Sequence, residues 1–154
     1  LLKIFVTALH YKLTVNEKYM KPIELRVETE QEFWKYYISV LQTAMPKKNR
    51  LTDKETRLMA YILASEMNKD YFKRPYRDGV VKALTVSNHN LHMLGGKLRT
   101  KGWLVDKLPA KKLRELQQHI KDQIGSSTTT VEFNFVFDVA IKLYNGNTGA
   151  STVN

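Results

Sequence analysis

Apolar residues recur at every second position near both ends of the chain, and at helical spacing between them. From Ile4 to Val15 the odd positions Phe5, Leu9, Tyr11, Leu13 and Val15 are apolar, with His10, Lys12 and Thr14 standing between them. Ile23, Leu25 and Val27 alternate in the same way with Glu24, Arg26 and Glu28. Period two lines one face of a strand, so two strands are expected, joined by a loose hairpin through Asn16 to Pro22. The C-terminal run is the clearest: Val131, Phe133, Phe135, Phe137, Val139, Ile141 and Leu143 alternate with Glu132, Asn134, Val136, Asp138, Ala140 and Lys142. At about 3.3 Å per residue such a strand spans roughly 43 Å. Its apolar face needs cover from the hairpin, from helices or from another copy of the chain.

Between these ends the spacing predicts helices. Thr29 with Glu32 forms a capping box that opens a helix bearing Phe33, Trp34, Tyr37, Ile38, Leu41 and Met45, which Pro46 ends. Thr52 with Glu55 opens a second helix, with Leu58, Tyr61, Ile62 and Ala64 or Ser65 on one side. Pro75 and Gly79 are expected to bracket an irregular connection, followed by a short helix over Val80, Val81 and Leu84. Ser87 caps a further helix with Leu91, Leu94 and Leu98 in line; Gly102 ends it, and Trp103-Leu104-Val105 is extended. A last helix is expected from Pro109, a favoured first-turn residue, through Leu113, Leu116 and Ile120 to Gly125.

Composition narrows the class. The 154 residues are 43% hydrophobic and 26% charged, enough for a buried core and unlike a disordered tail. No apolar run approaches a bilayer span, and residues 1–9 do not read as a signal peptide. With no Cys, disulfides, thiolate metal sites and thiol nucleophiles are all excluded. The formal charge is +10, and it is unevenly placed. Residues 47–105 hold thirteen Lys/Arg against five Asp/Glu, a net +8, whereas each flanking segment carries +1. Basic excess of this size in one segment points to a polyanionic partner, most simply nucleic acid.

The expected organisation is a β-hairpin plus helix over residues 1–46, a basic module over 47–105, a helix and long strand over 106–144 that extends the N-terminal sheet, and a small polar tail over 145–154. Within the basic module, the order of long helix, short helix, the link Thr85-Val86-Ser87, third helix and Leu98-Arg99-Thr100-Lys101-Gly102-Trp103-Leu104 resembles the winged helix-turn-helix family over about residues 50–105. The fold class is therefore expected to be α+β, a winged-helix-like three-helix core with an antiparallel sheet made by the N-terminal hairpin and the C-terminal strand. After Val105 no returning strand is evident, so the wing is expected to be short or absent.

The resemblance implies that the third helix enters the major groove of double-stranded DNA. Turning that helix by 100° per residue puts its three leucines inward and leaves Asn88, His89, His92 and Arg99 as candidates for contact with bases, since Asn pairs with adenine and Arg with guanine. Lys47, Lys48, Arg50, Lys73, Arg74, Arg77, Lys82, Lys97 and Lys101 are candidates for contact with phosphates. Gly95-Gly96 weakens this helix, and a close approach of backbone to DNA or to another subunit would account for it.

Catalytic chemistry finds little footing. His89 and His92 at i, i+3 lack a third metal ligand, no phosphate-binding glycine loop occurs, and Glu28, Glu30 and Glu32 more simply favour a helix dipole. No cofactor and no metal are expected. Tyr71, Phe72 and Tyr76 among Lys69, Lys73, Arg74 and Arg77 either stack on unpaired bases or plug the gap between helices, and the second is the simpler expectation. The sequence thus reads as a non-enzymatic double-stranded DNA-binding protein for regulation, replication initiation or DNA packaging, of a phage- or plasmid-borne style, oligomerising through the long C-terminal strand, cytoplasmic or virion-associated, with no membrane partner. The alternative is a structural or assembly protein, such as a virion or ring component, that uses the helix-turn-helix as a scaffold for other subunits.

Overall fold

The computed structural model describes residues 2–6, 23–125 and 130–133. Strands β1 (Leu2–Val6) and β2 (Ile23–Val27) pair antiparallel, Leu2 opposite Val27 and Val6 opposite Ile23. Helices α1 (Glu30–Thr43), α2 (Asp53–Ala64), α3 (Tyr76–Leu84) and α4 (Asn88–Thr100) follow, with a 3-10 turn at Lys47–Asn49. A minimal hairpin, β3 (Leu104–Val105) and β4 (Leu108–Pro109), leads to α5 (Lys111–Gly125) and β5 (Thr130–Phe133). The class is α+β. The sheet differs from expectation in one respect: β5 lies parallel to β1, Lys3 opposite Thr130, so the three strands in the order β2-β1-β5 form a mixed sheet rather than an antiparallel one. Periodicity sets which face of a strand is apolar but not its direction, which depends on the side from which the connecting helices return the chain. The long run to Leu143 beyond Phe133, and the tail, lie outside the described residues.

Both capping boxes form. Thr29 and Thr52 each accept from the backbone N–H of a glutamate three residues on, Glu32 and Glu55, whose side chains reach back to the cap. All six apolar positions expected inward on or just after α1 are buried, as are Leu58 and Ile62 of α2, Leu91, Leu94 and Leu98 of α4, and Leu113, Leu116 and Ile120 of α5. They belong to one buried cluster, in which Trp34 and Trp103 are the largest members. α1 packs chiefly along α2, and Trp34 meets Tyr37 edge-on at 5.6 Å. α5 closes the far end of α2: the buried Gln117 amide donates to the Leu63 carbonyl at 2.8 Å, and Lys121 donates to the Ala64 carbonyl at 3.3 Å. These are carbonyls that a helix end leaves without an internal partner.

Three local expectations are corrected. Gly79 lies inside α3, which begins at Tyr76 immediately after the cis Arg74–Pro75 peptide. Pro109 is a strand residue opposite Leu104, and the helix starts after it. A returning strand does exist, since Asp106 takes a left-handed φ of 57° and the two residues Asp106 and Lys107 suffice to reverse the chain. Proline is tolerated there because the two-residue β4 pairs on one side only. Gly102, with φ 81°, ends α4 as expected. Its N–H donates to the Arg99 carbonyl, and that of Trp103 to Leu98, the paired bonds of a left-handed helix stop.

Candidate nucleic-acid interface

α4 packs against α2, α3 and β3 along one side, and those contacts decide which of its residues face outward. Ser87 caps it, its hydroxyl accepting from the Asn90 N–H at 3.1 Å. Leu91, Leu94, Gly95 and Leu98 are buried along the inner side. A 100° turn per residue then places His89, Met93, Gly96 and Thr100 opposite that seam. Asn88, His92 and Arg99 fall on one flank, and Asn90, Lys97 and Lys101 on the other. The burial pattern agrees: Asn88, His89, His92, Met93, Lys97, Arg99 and Thr100 are all exposed, Met93 to 50%. All four candidates for base contact therefore lie at the surface, three of them along one flank.

That flank is built on Phe72. Its ring is buried beneath Gly95, where an added Cβ would stand 2.4 Å and 2.8 Å from two ring carbons. The glycine is thus required by an aromatic side chain of the same molecule; close approach to DNA or to a second subunit is not needed to explain it. Gly96 carries no such demand, since a Cβ there would meet only the Arg99 guanidinium at 3.9 Å. Arg99 lies 5.8 Å from the Phe72 ring centroid and donates to the Asp106 carbonyl at 3.3 Å, while the His92 ring is 6.2 Å from Phe72. Arg99 is therefore pinned between an aromatic face and the hairpin turn, which restricts a long side chain that would otherwise sweep many rotamers. Val105, 65% exposed, projects from the same hairpin.

The aromatic and basic residues ahead of α3 take the structural role. Tyr71 and Phe72 are buried, and Tyr71 makes edge-on contacts with Tyr61 at 6.1 Å and Tyr76 at 5.6 Å. Rings packed against one another in this way are not a stacking platform for unpaired bases.

The nine candidates for phosphate contact divide. Lys47, Lys48, Lys82 and Lys97 are exposed and have no acidic partner among the described residues. Lys73 and Arg74 are exposed, with carboxylates at 3.9 Å (Asp70) and 3.4 Å (Asp78). Arg50 is exposed at its head and donates from Nε to the Met45 carbonyl at 2.9 Å. Arg77 is partly buried, its Nε 3.7 Å from the Asp78 carboxylate.

Lys101 is engaged within the fold: its ammonium bonds the Glu55 carboxylate at 2.5 Å and ties the end of α4 to the start of α2. Glu55 is 1% exposed. Burial pushes its carboxyl pKa up, but the Lys101 hydrogen bond and the Thr52 N–H outweigh that, and the net position is below the ordinary value of 4.5. Asn49 braces the same corner, its amide donating to the Lys101 carbonyl at 3.2 Å and its own carbonyl accepting from Trp103 Nε1 at 2.8 Å.

Sequence reasoning passed over three contributors. Lys54 and Arg57 of α2 line a cavity of about 280 Å³ beside Asn90. Asn90 itself is exposed on the Lys97 flank. The i, i+3 spacing of Lys54 and Arg57 at the start of a helix was a visible signal; what it faced was not, because that depends on how α2 meets the α3–α4 link. Among the described residues no helix is long and apolar enough to cross a membrane. Comparison of the chain with protein-family models, with curated proteins and with solved structures found no match.

Proposed function

We propose that this protein binds double-stranded DNA without catalysing a reaction on it, with α4 as the reading element and the lysines around it holding the phosphates. The observation that carries the reading is the outward face of α4: polar side chains able to pair with base edges, exposed together on a helix whose other side is sealed by leucines. Asn88 and Arg99 are the direct readers, with His89 and His92 beside them. The short β3–β4 hairpin, which follows α4 and turns at Asp106 and Lys107, supports the assignment, since the resembled family carries a wing after its third helix. Lys47, Lys48, Lys82 and Lys97 supply sequence-blind attraction.

Gly95 favours neither DNA nor a second subunit, because Phe72 already accounts for its missing side chain, and the scaffold alternative stands beside the DNA reading. It keeps the exposed Met93 and Val105, apolar groups that suit a protein partner as well as a thymine methyl. Oligomerisation through the C-terminal strand remains part of the proposal, although that strand beyond Phe133 lies outside the described residues.

Fluorescence anisotropy with a labelled duplex of about 30 base pairs tests the reading, because specific sites for single modules fit well within that length. Lys97→Ala is expected to weaken binding uniformly across sequences and to lower the salt slope by about 0.9. Arg99→Ala is expected to relax preference at one position. Unchanged affinity and slope in both variants would remove α4 from the interface.

A further inference from the structure

The cavity beside the α3–α4 link has a chemistry that the reading above leaves unused. It holds about 280 Å³ and opens between α2 and the start of α4. Lys54 and Arg57 stand on its α2 side and Asn90 on its α4 side. Neither cation has a carboxylate partner among the described residues, and no hydrogen bond engages the Asn90 amide there. Leu84 and Leu94 supply an apolar wall. Two cations and an amide converging on a recess with an apolar side match an anion that carries a carbon body. Sulfate-sized ions would leave most of the volume unfilled, since one water accounts for about 30 Å³ of liquid.

We infer that this cavity is a phosphate-ester site: Lys54 and Arg57 hold the phosphate, Asn90 hydrogen-bonds an ester or sugar oxygen, and the sugar or ring rests on Leu84 and Leu94. Arginine suits the planar, forked contact that a phosphate offers, and lysine adds a point charge. The same chemistry comes from two sources, a free mononucleotide or the sugar-phosphate backbone of a duplex passing α4. The second source rests on the DNA-binding reading; the first does not.

Calorimetric titration of the full chain with adenosine monophosphate, adenosine and inorganic phosphate tests the first source. Anisotropy with a labelled duplex, with and without adenosine monophosphate as competitor, tests the second. Lys54→Gln/Arg57→Gln is compared with Lys111→Gln/Lys112→Gln, which removes the same charge from exposed positions on α5 outside the cavity lining, and thermal melting confirms that both variants fold. The monophosphate is expected to bind, adenosine is not, and the cavity variant is expected to lose at least about tenfold in affinity, about 1.4 kcal/mol, while the control keeps it. If only the backbone uses the site, the monophosphate fails to bind and the cavity variant loses more duplex affinity than the equal-charge control.

A protein that binds duplex equally well in both variants and ignores the monophosphate overturns the cavity assignment and leaves the DNA reading intact. Conversely, monophosphate binding that depends on Lys54 and Arg57, in a protein that ignores duplex, upholds the cavity and removes the DNA reading.

Discussion

Adjacent glycines in α4 look alike in the sequence and behave differently in the fold. Gly95→Ala drives a methyl into a buried ring, so a loss of about 1–3 kcal/mol is expected, together with displacement of Arg99 from its place over that ring. Gly96→Ala meets only the Arg99 guanidinium at an ordinary 3.9 Å contact and removes backbone freedom from the unfolded chain, so a gain of up to about 1 kcal/mol is expected. Urea unfolding of the two variants checks the pair, and equal effects would mean that Phe72 does not sit under Gly95. Among the described residues three non-glycine positions hold positive φ: Asn68, Thr85 and Asp106. Asn and Asp tolerate that region, whereas β-branched Thr85 at φ 53° does not. Thr85→Gly is therefore expected to raise stability by about 1 kcal/mol, read from the same urea curves. None of this was legible beforehand, because the cost of a Cβ depends on what packs against it from a residue 23 positions away, Phe72 to Gly95.

Helix ends and helix faces were the most readable features, since they are local. Capping boxes at Thr29 and Thr52, the Ser87 cap, the Gly102 stop and the inward leucines of α4 all follow from residues within one or two turns of each other. The features that sequence missed are long-range. Lys101 was read as a candidate for phosphate contact, yet its ammonium bonds the carboxylate of Glu55, 46 positions earlier. The ion pair joins two helices, so its removal acts on their packing: Lys101→Met leaves a buried carboxylate without its cation and is expected to cost about 3 kcal/mol. The pH dependence has a definite sign. Glu55 is held below its ordinary value of 4.5 in the folded state, so the stability its charge contributes is present above that value and is lost as pH falls through the folded one. The stability difference between the native chain and Glu55→Gln should hold constant from neutral pH down to about 5 and close at lower pH, as measured by urea unfolding across the range. A difference that widened on acidification would contradict the assignment. The direction of β5 was equally out of reach, because alternation reads the same in either orientation.

At the scale of the molecule, charge segregation was visible in the sequence, but it did not show which charges remain available. Folding engages Lys101 and Arg77 with Glu55 and Asp78 and leaves them only partly exposed, while Lys47, Lys48, Lys82 and Lys97 are exposed. In the proposed interface these four lysines, with the outward face of α4, meet the phosphates of a duplex. Duplex affinity as a function of salt, for the native chain and for Lys47→Gln/Lys48→Gln/Lys82→Gln/Lys97→Gln, tests it directly. A linear fall of log affinity with log salt is expected in the native chain, and a slope smaller by about 3–4 in the variant, near 0.9 for each lysine that touches a phosphate. Duplex binding that is absent, or whose slope is the same in both proteins, would contradict it.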